Sequence, residues 1–375
     1  MRAAATRPSI AEILQAAPWQ QLEEHLNDLP ERVDRSITTA HQARTQYRQE
    51  LLSQNPAIAT RIKRPSDEQL QAAVDLLQSG TVAASDGTVS PVPLVAGSKI
   101  QVGVVIVSNT GSMVSLVTKV FETELNTGAK SASEFFQQLR TTRAISNLVS
   151  RAIMLFGERN LLIEHQADWR MIHGELIPHE LRTGAGRPSQ NLPPTFDLIN
   201  RFIASERFIA VSESSDDIDI LNAAILLEPG EYIVIRSMAD TLGMFLDGDL
   251  ETGTARANFA APDLSRFREF IARSADKVAV VLTKAADKPF LIECHSDHID
   301  ESVALFLADS LWTRGHALDG MASAIRGFPY HIDLADQVAR TLLKGGEFRS
   351  FVEARLLAQG LEEGLFDLDA RRTRG

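Results

Sequence analysis

Thr81-Val82-Ala83-Ala84-Ser85-Asp86-Gly87-Thr88 is the stretch where the chain stops reading as helix and begins to read as sheet. Small and β-branched residues lead up to Asp86, and a Gly/Ser/Pro-rich loop follows. Next come Ile100–Ser108 (IQVGVVIVS) and Ser112–Thr118, which the same pattern predicts as neighbouring strands joined by turns. An aspartate ending an apolar strand, with glycine after it, can face a metal ion rather than bulk water. A plain Asp-Gly turn between two strands gives the same dipeptide, and both readings stay open.

Upstream, residues 1–80 read as a helical N-terminal extension. Ile10, Ile13, Leu14 and Leu22 recur at helical spacing, and residues 36–53 form a polar helix. Ser66 and Gln69 match a capping box, with Gly80 ending the helix they begin. Downstream, residues 133–166 form one long helix with a stripe of Phe135, Leu139, Ile145, Leu148, Ile153 and Leu155, which Gly157 is placed to interrupt. Trp169–Ile177 (WRMIHGELI) reads as a strand and 179–194 as a mobile Gly/Pro loop. Strands are expected at 208–212, 232–237, 278–282 and 290–294. Helices are expected at 196–204, 217–227, 264–272, 300–313, 333–343 and 347–359. Strands first and then helix alternating with strand imply an α/β sheet with helices on its faces. The domain reading is 1–80 extension, 81–345 core, and 346–375 a C-terminal helix with a basic tail (Arg371, Arg372, Arg374).

Hydrophobic residues make up 44% of the chain and charged residues 23%, which suits a globular core. Cys294 is the one cysteine, so no internal disulfide can form and a reducing cytoplasm is expected. The N-terminus lacks the apolar run of a secretory leader, and no stretch of about 18 apolar residues exists to span a membrane. A net charge of −11 is not that of a surface coated for nucleic acid. Clustered carboxylates beside local basic patches are still compatible with a metal-dependent nuclease.

Met171-Ile172-His173-Gly174-Glu175 places polar groups inside an apolar strand, where they need partners. His173 and Glu175 are two apart and so are expected on one face, as ligand and base or as two ligands. A solvent-exposed strand end accounts for them equally. Glu293-Cys294-His295-Ser296-Asp297-His298 has zinc-binding composition without zinc-binding spacing and reads as a solvated connection; His316 and Asp319 read as surface residues. No Walker-type loop, HExxH or GxSxG occurs, which sets those enzyme classes aside. The basic candidates for holding phosphate are Arg61, Lys63 and Arg64, then Arg140 and Arg143, and finally Arg182 and Arg187, with Lys284 also expected to contact DNA.

The order of these pieces resembles the NurA nuclease family, over residues 80 to 345. The resemblance runs through Asp86–Gly87, His173–Gly174, Ile209-Ala210-Val211-Ser212-Glu213-Ser214-Ser215 and Leu291-Ile292-Glu293. It closes on Arg326-Gly327-Phe328-Pro329-Tyr330 and the helix bearing Ala335–Asp336. It implies a ribonuclease-H-like mixed sheet, two Mn2+ or Mg2+ ions, and processing of DNA ends by a homodimer docked on a HerA-type hexameric ATPase. It also implies metal ligation by Asp86, by a helix glutamate (Glu158, with Glu164 behind it) and by His173. Glu175 and Asp336 complete the catalytic candidates. The chain departs from the family pattern in having His173 for a second aspartate, Glu213 for a lysine and Asp336 for a histidine, with Lys284 as the substitute lysine. Those three changes keep a second class open, a NurA-like adaptor without catalysis. An α/β protein with no nucleic-acid role is the third.

Overall fold

The computed structural model describes residues 9–16, 19, 21–94, 97–108, 117–123, 130–212, 220, 223–224, 226–248, 258–286, 288–316, 327–343 and 346–360. The chain divides into two compact units, Met1–Ala59 and Thr60–Gly375. The first holds α1 (Ile10–Ala16), the 33-residue α2 (Leu22–Gln54) and the short α3 (Pro56–Ala59).

The second unit opens with α4 (Asp67–Ser79). Ser66 accepts from the Gln69 amide while Gln69 reaches back to the Ser66 amide, and Gly80 closes the helix at φ 75°. Both ends are as the sequence predicts. Ala73 and Leu77 of α4 lie in the main core cluster, so this helix belongs to the sheet-bearing unit. The division therefore falls near residue 60 rather than 80.

Among the described residues, eight strands form one sheet in the order β3-β2-β1-β4-β5-β8-β7-β6. They are β1 (Val82–Leu94), β2 (Gly97–Ser108), β3 (Val117–Thr123), β4 (Trp169–His173), β5 (Phe208–Ser212), β6 (Tyr232–Ser237), β7 (Val278–Lys284) and β8 (Pro289–His295). The first three are antiparallel neighbours, and β4 and β5 run parallel to β1. That is the expected ribonuclease-H-like arrangement of a mixed sheet, extended on one side by the antiparallel β8, β7 and β6. Residues 112–116 of the expected third strand lie outside the described residues.

Helices cover both faces. One face carries α4, α10 (Ile299–His316) and α11 (Tyr330–Leu343), packed on Val82, Ala84, Met171, Val211, Val281 and Ile292. The other carries α5 (Ala132–Glu164), α7 (Pro188–Ser205), α8 (Met238–Asp247) and α9 (Ala261–Ser274), packed on Ala83, Ile106, Ile172 and Ala210. Alternate residues of β1, β4 and β5 thus feed opposite cores, as the period of two requires. The start of α11 is pinned from within. His331 Nδ1 lies 2.7 Å from Asp309 Oδ1, and the His331 amide donates to Asp309 Oδ2 at 3.1 Å. A final helix, α12 (Gly346–Ala358), follows, and the basic tail lies outside the described residues.

Four local expectations are revised. β1 does not end at Asp86 but continues to Leu94, with Asp86 opposite Val105 and Gly87 opposite Val104. α5 runs through Gly157 without a break. β4 stops at His173, because Gly174 turns the chain at φ 83°. Residues 179–194 are ordered as the short α6 (His179–Arg182), a 3-10 turn at Gly184–Gly186 and the start of α7, with Leu181, Ala185 and Leu192 buried. Pro188 at the first position of α7 fits a helix start, where its missing N–H costs nothing. The expected helix at 217–227 falls mostly outside the described residues.

Leu77→Ala should destabilise the protein by about 2–5 kcal/mol in denaturant unfolding, the usual cost of truncating a fully buried leucine. A loss below about 0.5 kcal/mol, the range of surface substitutions, would return α4 to the N-terminal unit.

Candidate functional site

The parallel pairing of β1 with β4 ends at Ser85 opposite Ile172. Asp86 and His173 are the next residue on each strand, and both point to the face covered by α11. There His173 Nδ1 and Asp86 Oδ2 lie 3.1 Å apart, and the Gly87 amide donates to Asp86 Oδ1 at 2.8 Å. Phe328, buried just before α11, sets its ring edge against the His173 ring at 5.4 Å. A histidine with one ring nitrogen on a carboxylate has its tautomer and orientation set by that bond.

Glu158 comes from the opposite face. It sits on α5 and is 1% exposed, yet its carboxylate lies against Gly87. A Cβ built on Gly87 would stand 2.6 Å from Glu158 Oε1, 2.7 Å from Met154 Cγ and 3.1 Å from the Gly103 carbonyl oxygen. Glycine is therefore required here for close approach rather than for a turn. Arg159 Nη1 holds Glu158 Oε2 at 3.3 Å, while Oε1 is buried with no hydrogen-bond partner among the described residues. Burial first, and then the negative charge of Asp86, push the Glu158 carboxyl up to about 8. Asp336, on α11, completes the group. Burial and then the charge of Asp86 raise its carboxyl, against the pull of Arg340, whose Nε donates to it at 2.7 Å.

The sheet thus gathers Asp86, His173, Glu158 and Asp336 from four elements far apart in sequence. Among the described residues, however, no three His, Cys, Asp or Glu side chains stand at the spacing of a metal-ligand set. The feature that fits a cation is narrower. Glu158 Oε1 lies against Gly87, the residue after Asp86, and has no hydrogen-bond partner among the described residues. Buried carboxylates in this state favour either a proton or a cation.

Other candidates fall elsewhere. Glu175 does not share a strand face with His173, because the turn at Gly174 intervenes and its carboxylate binds Arg182. Arg182 also lies over the Phe245 ring at 5.4 Å, so it is tied down on both sides. Lys284 is 1% exposed at the end of β7 and does not present the surface cation expected of a DNA contact. Arg187 is exposed. Arg140 and Arg143 lie in α5, their side chains outside the described part, and Glu213 and Arg326 lie outside the described residues. Glu164 is exposed on α5, 3.8 Å from Arg201, far from this role. Arg61 and Arg64 bind the Val234 carbonyl and Glu228 and Glu231 respectively, bracing the β6 edge.

Sequence reasoning missed Arg159 and misread Glu293, which is not in a solvated connection: Glu293, Cys294 and His295 are buried in β8. Arg159 follows Leu155 by four residues and precedes Leu162 by three, so helical spacing already sets it on the apolar face. Glu293 alternates with Ile292 and Cys294 and so points to the α5 side. It accepts from the Leu176 amide, and burial and then the charge of Glu175 raise its carboxyl to about 7.

No family model matches the chain, and no curated protein matches it in sequence. Solved structures with a similar fold include a NurA structure, 10% identical, covering 89% of this chain and 99% of that one at a TM-score of 0.48. NurA bound to dAMP and manganese is 11% identical over 88% and 97% of the two chains, with a TM-score of 0.47. The NurA nuclease from Sulfolobus solfataricus is 11% identical over 75% and 84%, with a TM-score of 0.43.

Because Glu158 and Glu293 hold protons more tightly when folded, the stability they contribute is present below about 4.5, the ordinary glutamate value, and is lost as pH rises through about 8 and about 7. The melting temperature should fall between pH 5 and 8.5, at up to about 1.4 kcal/mol per pH unit for each proton released. Glu158→Gln should flatten the upper half of that fall and stabilise the protein at pH 8.5. An unchanged pH profile in this variant would remove the raised carboxyl from the account.

Proposed function

We propose that this chain is a metal-dependent DNA nuclease whose divalent cation is held between Asp86 and Glu158, with His173 beside them. The observation that carries the proposal is the buried Oε1 of Glu158, unpartnered among the described residues and lying against Gly87, with the Asp86 charge near enough to raise its carboxyl. The Asp86 charge disfavours ionisation of Glu158, and a divalent cation bound by both would replace that repulsion by ligation. A bound cation supplies Lewis-acid stabilisation of the charge on a phosphodiester under attack.

The chain's own residues do the rest. Gly87 admits the Glu158 carboxylate to the site, and its amide orients Asp86. His173 holds Asp86 from the α11 side and can carry a proton there. Asp336 adds negative charge on the same side. Mn2+ or Mg2+ suits oxygen ligands of this type, and the two ions implied by the family resemblance would engage Asp336 as well as the pair. That resemblance also supplies the finer parts of the proposal: cleavage at DNA ends, a homodimer, and docking on a HerA-type hexameric ATPase. The exposed Arg187, and Arg140 and Arg143 on α5, are the basic residues proposed to meet DNA phosphates.

One observation favours a second reading, a catalytically silent NurA-like adaptor. Both Asp86 oxygens already have partners in His173 and the Gly87 amide, and Asp336 is paired with Arg340. The two readings separate on one experiment. For the nuclease, Mn2+ raises the melting temperature by mass action, linear DNA is degraded, and Asp86→Asn abolishes both. For the adaptor, Mn2+ leaves the melting temperature unchanged and no cleavage occurs.

A further inference from the structure

We infer that Arg159 is the residue that positions Glu158 for its cation, by clamping α5 to the turn that follows His173. The inference rests on the cation-binding reading of Asp86 and Glu158. The Arg159 side chain is 0% exposed, and its guanidinium is used on every side. Nε donates to the Leu176 carbonyl at 2.9 Å, Nη2 donates to the Glu175 carbonyl, and Nη1 donates to the Leu155 carbonyl at 2.8 Å. The remaining contact is to Glu158 Oε2, at 3.3 Å.

Three backbone carbonyls thus fix the plane of the guanidinium, two of them from the segment that begins where β4 ends. The last torsion of a glutamate is soft and broadly distributed. Capture of Oε2 by a fixed donor removes that freedom and leaves Oε1 against Gly87. The same fork sets the distance between α5 and the end of β4, so it holds Glu158 and His173 in one frame. A lysine ammonium cannot reproduce this arrangement, because its donors are not a planar fork. A residue needed only to fill apolar space at this position would be Leu or Met, which avoid the cost of burying a charge.

The test is a manganese titration of the full chain followed by thermal shift, on wild type, Arg159→Lys, Arg159→Gln and the core variant Leu77→Ala. A positioning role predicts that Arg159→Lys or Arg159→Gln folds and needs about 10- to 100-fold more Mn2+ for half-maximal stabilisation, the usual effect of losing a partner that orients a metal ligand. Leu77→Ala should lower the metal-free melting temperature and leave manganese half-saturation at the wild-type value. Wild-type half-saturation in a folded Arg159 variant overturns the inference. So does an equal loss of manganese affinity in Leu77→Ala, which would mean that general destabilisation is enough. A chain that folds with neither Lys nor Gln at 159 makes Arg159 a determinant of the fold and also overturns it. Absence of any manganese effect in wild type overturns the cation-binding reading itself, and that result is seen before any variant is compared.

Discussion

Gly87 carries no side chain, and the space left by that missing Cβ joins the two faces of the sheet. Asp86 belongs to the α11 face and Glu158 to the α5 face, and a continuous strand would ordinarily keep them apart. At Gly87 the strand is thin enough for the Glu158 carboxylate to lie over it, close enough to feel the charge of Asp86. Any larger residue would displace Met154 or Glu158 or break the pairing with β2, since the third neighbour is the fixed Gly103 carbonyl. The electrostatics of the site, the raised carboxyl of Glu158 and the use of Arg159 all follow from that contact.

The surrounding architecture keeps the contact in place. β1 is held along its length by β2, and β4 pairs with it only as far as Ser85. The site therefore lies where a parallel neighbour stops and side chains can reach in from above and below. α11 is fixed at its start by the buried Asp309–His331 pair and by Phe328 packed between His173 and Phe290. Its next turn then brings Asp336 over the same strand. The family-like Gly327-Phe328-Pro329-Tyr330 segment thus has a physical task, which is to dock the helix that closes the site.

Much of this was legible in the sequence. Period-two runs located the strands, and the strand order agrees with the ribonuclease-H-like expectation. Ser66, Gln69 and Gly80 marked both ends of α4. Asp86 and His173 stand out in the sequence, and the fold sets them 3.1 Å apart on adjacent strands. The errors came from reading glycine by its local habit. The sequence leaves Gly87 open between a turn and a close approach, and the strand runs on through it with Glu158 close against it. Gly174 was read through as strand, and its positive φ removes Glu175 from the site. The Gly/Pro content of 179–194 suggested a mobile loop, but Leu181, Ala185 and Leu192 bury enough apolar surface to order it. Arg182 and Lys284 looked like phosphate contacts because a sequence does not show that a cation is already paired or buried. Partners such as Arg159 and Glu293 come into view only when the topology lays α5 across the β4 turn.

The proposed cation site pairs Asp86 with a Glu158 that is protonated before the ion binds. Calorimetric titration of Mn2+ into the chain at pH 7, in buffers of differing ionisation enthalpy, tests this directly. A carboxyl raised to about 8 must lose its proton to become a ligand, so binding should release about one proton, and Glu158→Gln should abolish that release. Manganese binding that releases no proton, or that is unaltered by Glu158→Gln, would contradict the account.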